Sequence, residues 1–246
     1  MISAIKEHRS VRDFQTKPIS DSVMEQILTA ATRASTVGGM QLYSIVVTTD
    51  PAIKTALAPC HFNQPMVTMA PAVVTFCADV ARFEQWCRQR QATPSYKNML
   101  WFLNAAIDTL LSSENFALEA ENQGLGICYL GTTLYNAEQI IEILELPVGV
   151  IPITTVVVGY AATEPPLAPR LPLEAVVHFN KYTPYSAQEI DHLWADIENS
   201  EQTTDLITQN NLPNLAQIFT KKRYTKADSD HFSTLYIKML TQQGFL

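Results

Sequence analysis

Apolar positions recur along this chain with two different periods, and the changes of period mark out its elements. Val23, Ile27, Leu28 and Ala31 are three and four apart, which predicts a helix with Ser20 as N-cap and Asp21 and Glu25 in or near its first turn. The β-branched runs at 44–49 and 72–78 are too short for buried helices and read as central strands. A helix over 50–58 and a loop over 60–65 connect them. The longest helical pattern spans 99–123, where Leu103, Ile107, Leu110, Leu111 and Leu118 predict a central, largely buried helix with those residues in the core. Gly124 closes it. Strands follow over 127–131 and 153–160. Between them Asn136 to Gln139 reads as the capping box of a helix running through Ile140, Ile141 and Leu144 to Pro147.

Residues 81–98 are polar with interspersed aromatics, either a mobile flap or a surface excursion. The prolines over 164–172 impose a stiff extended segment that holds Arg170 on a rigid arm. Ser186 to Glu189 is a second capping box, opening a helix striped by Ile190, Leu193, Trp194 and Ile197. The polar stretch 199–214 has no strong pattern and reads as flexible. A last helix carries Phe232, Leu235, Tyr236, Met239 and Leu240 on one side and stops at Gly244. No internal repeat is visible. The expectation is one domain over 1–246, with a core of about 1–172 and a C-terminal extension of about 173–246.

The 246 residues can bury a sizeable core, and no apolar run is long enough to span a bilayer. A net charge of −7 argues against a general nucleic-acid binder. The N-terminal stretch lacks a secretory pattern, so the expectation is a cytoplasmic protein without a membrane partner. Cys60, Cys77, Cys87 and Cys128 form no C-x-x-C pair and read as reduced core thiols. The histidines show no metal-ligand spacing, so no metal site is expected.

In this acidic background His8-Arg9-Ser10-Val11-Arg12 stands out. Three residues apart on a helix or tight turn, Arg9 and Arg12 would present two guanidinium forks on one side, with Ser10 as a neutral donor. That suits an anion, more narrowly a phosphate; the alternative is a solvated basic face. The loop 34–39 combines Ser35, Thr36 and Val37 with Gly38 and Gly39, so its backbone can approach a ligand, or it merely joins helix to strand. Gln64 carries a two-way amide that could read a heterocycle edge or simply face solvent. Tyr129-Leu130-Gly131 is a strand end, a place where backbone N–H groups are free for ligands. Lys221-Lys222-Arg223 is a dense basic run.

The ordered combination of H-R-S-V-R at 8–12, Ser35-Thr36 at a helix end, Y-L-G at 129–131 and P-R-L-P at 169–172 resembles the FMN-dependent nitroreductases, in particular their NADPH-dependent nitro/flavin reductase group. The likeness runs from His8 to about Pro172, weakens, and returns in the basic run and closing helix. It implies an α+β fold, a three-layer α/β/α sandwich on a central mixed β-sheet. It also implies a homodimer with FMN at the subunit interface.

By the same resemblance His8, Arg9, Ser10 and Arg12 hold the FMN phosphate and ribityl region. Ser35, Thr36 and Val37 lie against the flavin, from the same subunit or from the other. Gln64 contacts its edge and ribityl chain, Tyr129, Leu130 and Gly131 face the ring, and Arg170 sits near the pyrimidine end. Lys222 and Arg223 are candidates for the 2′-phosphate of NADPH, with NADH as a possible second donor and a solvated patch as the alternative. Two departures stand out: Ala168 replaces a cation, and Thr132 replaces the second glycine of Y-x-G-G.

The implied activity is hydride transfer from NADPH through flavin N5 to nitroaromatics, quinones or flavins by a ping-pong mechanism, with no catalytic side chain required. A flavin reductase supplying reduced FMN to a partner is the nearest rival. A non-catalytic flavin-binding module and a cofactor-free acidic scaffold are the others.

Overall fold

A computed structural model describes residues 1–246. Its centre is a four-stranded sheet of β1 (Tyr43–Thr48), β2 (Ala72–Asp79), β3 (Gly126–Leu130) and β4 (Val150–Gly159), in the order β1-β2-β4-β3. All three ladders are antiparallel. Parallel pairing enters through an isolated bridge between Ser10 and Ile127, so the expected mixed character comes down to that bridge. β1 is an edge strand rather than a central one, which is why its middle residues are only half-buried while β2 is buried throughout.

Side-chain alternation along the strands gives the sheet two apolar faces. Val73, Val157, Cys128 and Leu130 pack with Leu57, Met66, Val67 and Ile140 from the helices Pro51–Leu57, Met66–Met69 and Ala137–Ile143. Val74, Phe76, Val156, Val158 and Ile127 turn the other way, onto Ile27 and Ala31 of the helix Asp21–Ala31 and onto Phe116, Ala117 and Ala120 of the helix Met99–Asn122. Helix, sheet and helix make the three expected layers of an α+β sandwich.

The long helix inverts the reading of its sequence. Its buried face is Phe102, Ala105, Asp108, Thr109, Ser112, Ser113, Phe116, Ala117 and Ala120, whereas Leu100, Leu103, Ile107, Leu110 and Leu111 are exposed. Small residues let the helix lie close on the sheet. Two of the three hydroxyls bond back within the helix, Thr109 to the carbonyl of Ala105 at 2.7 Å and Ser113 to that of Leu110 at 2.8 Å, while that of Ser112 is buried without a partner.

Residues 81–98 run largely along the surface, as the second of the two readings expects, but with regular structure. They open with a helix, Ala81–Gln89, whose buried Glu84 accepts from Arg88 at 2.9 Å and from the Tyr96 amide at 3.3 Å, and Phe83, Tyr96 and Trp101 pack edge to face. Asn136 does not cap its helix, because its amide donates to the carbonyl of Cys60 at 2.7 Å. The four cysteines are free and buried.

The chain divides into two compact units, Met1–Leu167 with Phe232–Leu246, and Ala168–His231. The closing segment of the first unit brings Met239, Leu240 and Phe245 into a cluster with Leu42, Ala78, Phe102 and Ile151. Within the second unit, Ser186 and Glu189 form the expected capping box. The stretch expected to be flexible contains a helix, Glu201–Asn210, where Ser200 accepts from the Thr203 amide at 3.2 Å. The basic run lies in a π-helical turn, Phe219–Arg223. No helix is long and apolar enough to cross a membrane.

Candidate functional site

The segment bearing Arg9 and Arg12 is extended. Ser10 bridges Ile127, the Val11 amide donates to the Ile127 carbonyl at 2.8 Å, and Val11 and Phe14 are buried as anchors. Val11 comes this close because residue 126 is glycine: a Cβ there would meet Val11 Cγ2 at 2.5 Å. On extended backbone, residues an odd number apart face opposite ways, which corrects the expectation that Arg9 and Arg12 share a side. Arg9 Nη1 donates to Glu164 Oε1 at 2.6 Å and to the Pro165 carbonyl at 3.3 Å. Arg12 is exposed and reaches the Ser10 carbonyl at 3.5 Å. Its charge also acts on Cys128 of β3, partly offsetting the burial that pushes that thiol up.

His8 Nδ1 lies 2.8 Å from Glu121 Oε1. Burial raises the Glu121 carboxyl, and the bond to His8 works against that rise. A cavity of about 550 Å³ opens beside Arg9, with Glu7, Glu121 and Glu164 in its lining. Three carboxylates against one guanidinium make this cavity acidic, unlike a phosphate slot.

The other candidate residues lie on loops tied down from beneath. The Val37 amide donates to Asp108 Oδ1 at 2.9 Å and the Leu42 amide to Asp108 Oδ2 at 3.2 Å, so one buried carboxylate holds both ends of the turn that follows Ser35 and Thr36. Gly38 and Gly39 adopt φ of 55° and 68°, left-handed values that a glycine takes without strain. Gln64 is half-buried on a loop latched twice to the turn after β3. His61 Nδ1 lies 2.8 Å from Thr132 Oγ1, and Asn136 holds the carbonyl of Cys60. Tyr129 ends its reach between Ser113 and Glu114, its hydroxyl 3.3 Å from each, and burial pushes its phenol up. Leu130 is buried and Gly131 exposed at the strand end.

The structure therefore brings 8–12 and 129–131 together through the Ser10–Ile127 bridge, and Gln64 to the same strand end through Thr132 and Asn136. Arg170, Lys222 and Arg223 belong to the second unit. There Arg170 Nη1 donates to the carbonyls of Ala168 and Pro169, each at 3.3 Å, and the Arg223 guanidinium lies over the Phe219 ring, 5.6 Å from its centroid.

Sequence reasoning missed Asp108, His61 and Glu121. Asp108 had a signal, being the sole charge between Lys97 and Glu114. His61 and Glu121 had none, because their partners are 71 and 113 residues away.

Residues 5–160 match the model of the nitroreductase family. The oxygen-insensitive NADPH nitroreductase of Salmonella typhimurium is 37% identical over 177 residues, 72% of each chain. The FMN reductase (NADPH) of Bacillus subtilis is 33% identical over 183 residues, 74% of each. Among solved structures, a Bacteroides fragilis chain superposes with a TM-score of 0.98 at 48% identity, covering both chains in full.

Proposed function

Because this chain belongs to the nitroreductase family, we propose that its extended basic segment, the 35–37 loop, Gln64 and the end of β3 together hold FMN. The protein is an FMN-dependent oxidoreductase that takes electrons from NADPH, as nitroreductases and FMN reductases do. One observation carries the placement of the cofactor: the Ser10–Ile127 bridge, which brings a cationic segment to the strand that ends at Gly131.

The donor set fits a phosphomonoester. Arg12 is exposed with no carboxylate on its guanidinium, and Ser10, two residues before it on the same side, adds a hydroxyl, whereas Arg9 faces the acidic cavity and is held by Glu164. Ser35, Thr36 and Val37, held by Asp108, and Gln64, held through the His61 loop, offer polar and backbone groups on braced loops. Bound FMN supplies hydride acceptance and delivery at its N5. The protein's own contribution is to orient planar reactants over one slot, which NADPH vacates before a nitroaromatic, quinone or free flavin enters. Double-reciprocal rate plots at several acceptor concentrations then run parallel.

We further propose a homodimer. Leu100, Leu103, Ile107, Leu110 and Leu111 form an apolar stripe on one exposed helix face, the kind of surface that a second copy covers. The four buried free thiols support a reducing, cytoplasmic setting. A second reading, delivery of reduced flavin to another enzyme, is favoured by the Arg9–Glu164 pair, because phosphate must displace a carboxylate before Arg9 can hold it.

The test is the visible spectrum of protein incubated with FMN and desalted, before and after anaerobic NADPH. A retained flavin band that bleaches with NADPH and returns with a quinone is expected. A retained band that NADPH leaves unchanged would instead make this a flavin-binding module.

A further inference from the structure

His61 and Thr132 form a pair that the reaction as described does not use. His61 is fully buried, burial lowers its pKa to about 4, and its ring is therefore neutral at physiological pH. Nδ1 lies 2.8 Å from Thr132 Oγ1, while Nε2 is buried without a partner. A neutral imidazole carries one proton. A bare ring acceptor in the interior is less costly than an unpaired N–H, so the proton belongs on Nδ1 and is donated to Thr132. Thr132 Oγ1 thus accepts from His61, and its own O–H is left to donate elsewhere. Thr132 is half-buried and directly follows Gly131 at the end of β3.

We propose that Thr132 is a hydrogen-bond donor to FMN, aimed by His61 as a positioning residue. This rests on the placement of FMN at the β3 end. A hydroxyl with two lone pairs and one proton has three bonding directions, and anchoring one of them on a rigid buried ring fixes where its proton can point. The Asn136 bond to the Cys60 carbonyl holds the same loop and turn together from a second point, so the aim survives thermal motion of either segment.

The experiment titrates FMN into apoprotein, following flavin fluorescence and the shape of the visible band, for wild type, Thr132→Val, Thr132→Ser and His61→Asn. Valine keeps the shape and loses the donor; serine keeps the donor; the asparagine amide reproduces Nδ1–H. Thr132→Val weakens FMN roughly three- to tenfold, the worth of one ordinary hydrogen bond, and shifts the flavin band. Thr132→Ser and His61→Asn stay within about twofold of wild type. Wild-type affinity and band in folded Thr132→Val overturn the proposal while leaving the FMN site standing. Wild-type protein that binds no FMN overturns both. Equal weakening in the valine and serine variants also overturns it, because bulk and not the hydroxyl would then matter.

Discussion

Asp108 is a single carboxylate that terminates two backbone donors, the amides of Val37 and Leu42, in a buried setting. Asp108→Ala leaves both amides without an acceptor, at a cost of about 3 kcal/mol. Urea denaturation measures this as a lower midpoint at unchanged slope, and FMN binding weakens with it as the 35–37 loop loosens. His61 sets a pH dependence whose sign follows from its lowered pKa. The unfolded chain takes up the proton near the ordinary imidazole value of 6.5, the folded one near 4, so stability is complete above about pH 6.5 and is lost as pH falls toward 4. The full loss is about 3 kcal/mol. His61→Asn, which does not titrate, flattens this part of the curve of urea midpoint against pH; a slope unchanged from wild type would remove His61 as its source.

At the scale of elements, the helix Met99–Asn122 separates what periodicity can tell from what it cannot. Its span and its stop before Gly124 were legible, because periodicity and glycine chemistry are local, whereas the Asn98 cap that starts it went unread. Its orientation was not. Leucines at helical spacing identify an apolar face without saying whether core or partner covers it, and here the alanine and hydroxyl face goes to the sheet. The strands were readable for the same local reason, yet the place of β1 at the edge depends on a pairing order that no strand encodes alone. The cationic segment was found by composition and misjudged in shape, since its extended form comes from Ile127, 117 residues after Ser10. The apolar stripe carries its own test. Glutamate at both Leu103 and Ile107 places like charges at the centre of the proposed self-contact, and the variant sediments as a folded monomer where wild type sediments as a dimer. A wild-type monomer would end that proposal.

At the scale of the whole molecule, the charge balance decides how NADPH can be told from NADH. The two differ by one phosphate, and the chain's net charge of −7 opposes both, the phosphate-bearing one more strongly. Selection for NADPH therefore needs a local cation cluster strong enough to reverse a repulsive background. Lys221, Lys222 and Arg223 form such a cluster in the π-helical turn. Within it Lys221 is bonded to Gln217 at 2.7 Å and Arg223 rests on the Phe219 ring, leaving its fork in a fixed orientation. At physiological salt, charges more than about 8 Å away are largely screened, so the cluster and not the net charge governs a phosphate held against it. Replacing both Lys222 and Arg223 with glutamate raises KM for NADPH by roughly ten- to a hundredfold, the worth of a charge-assisted contact, and changes KM for NADH far less. Steady-state kinetics with each nucleotide at two ionic strengths measures this. The wild-type preference for NADPH shrinks as salt rises, and in the variant, where glutamates repel the extra phosphate, the dependence reverses sign. Equal KM changes for the two nucleotides would mean that these residues shape the turn and do not read the phosphate.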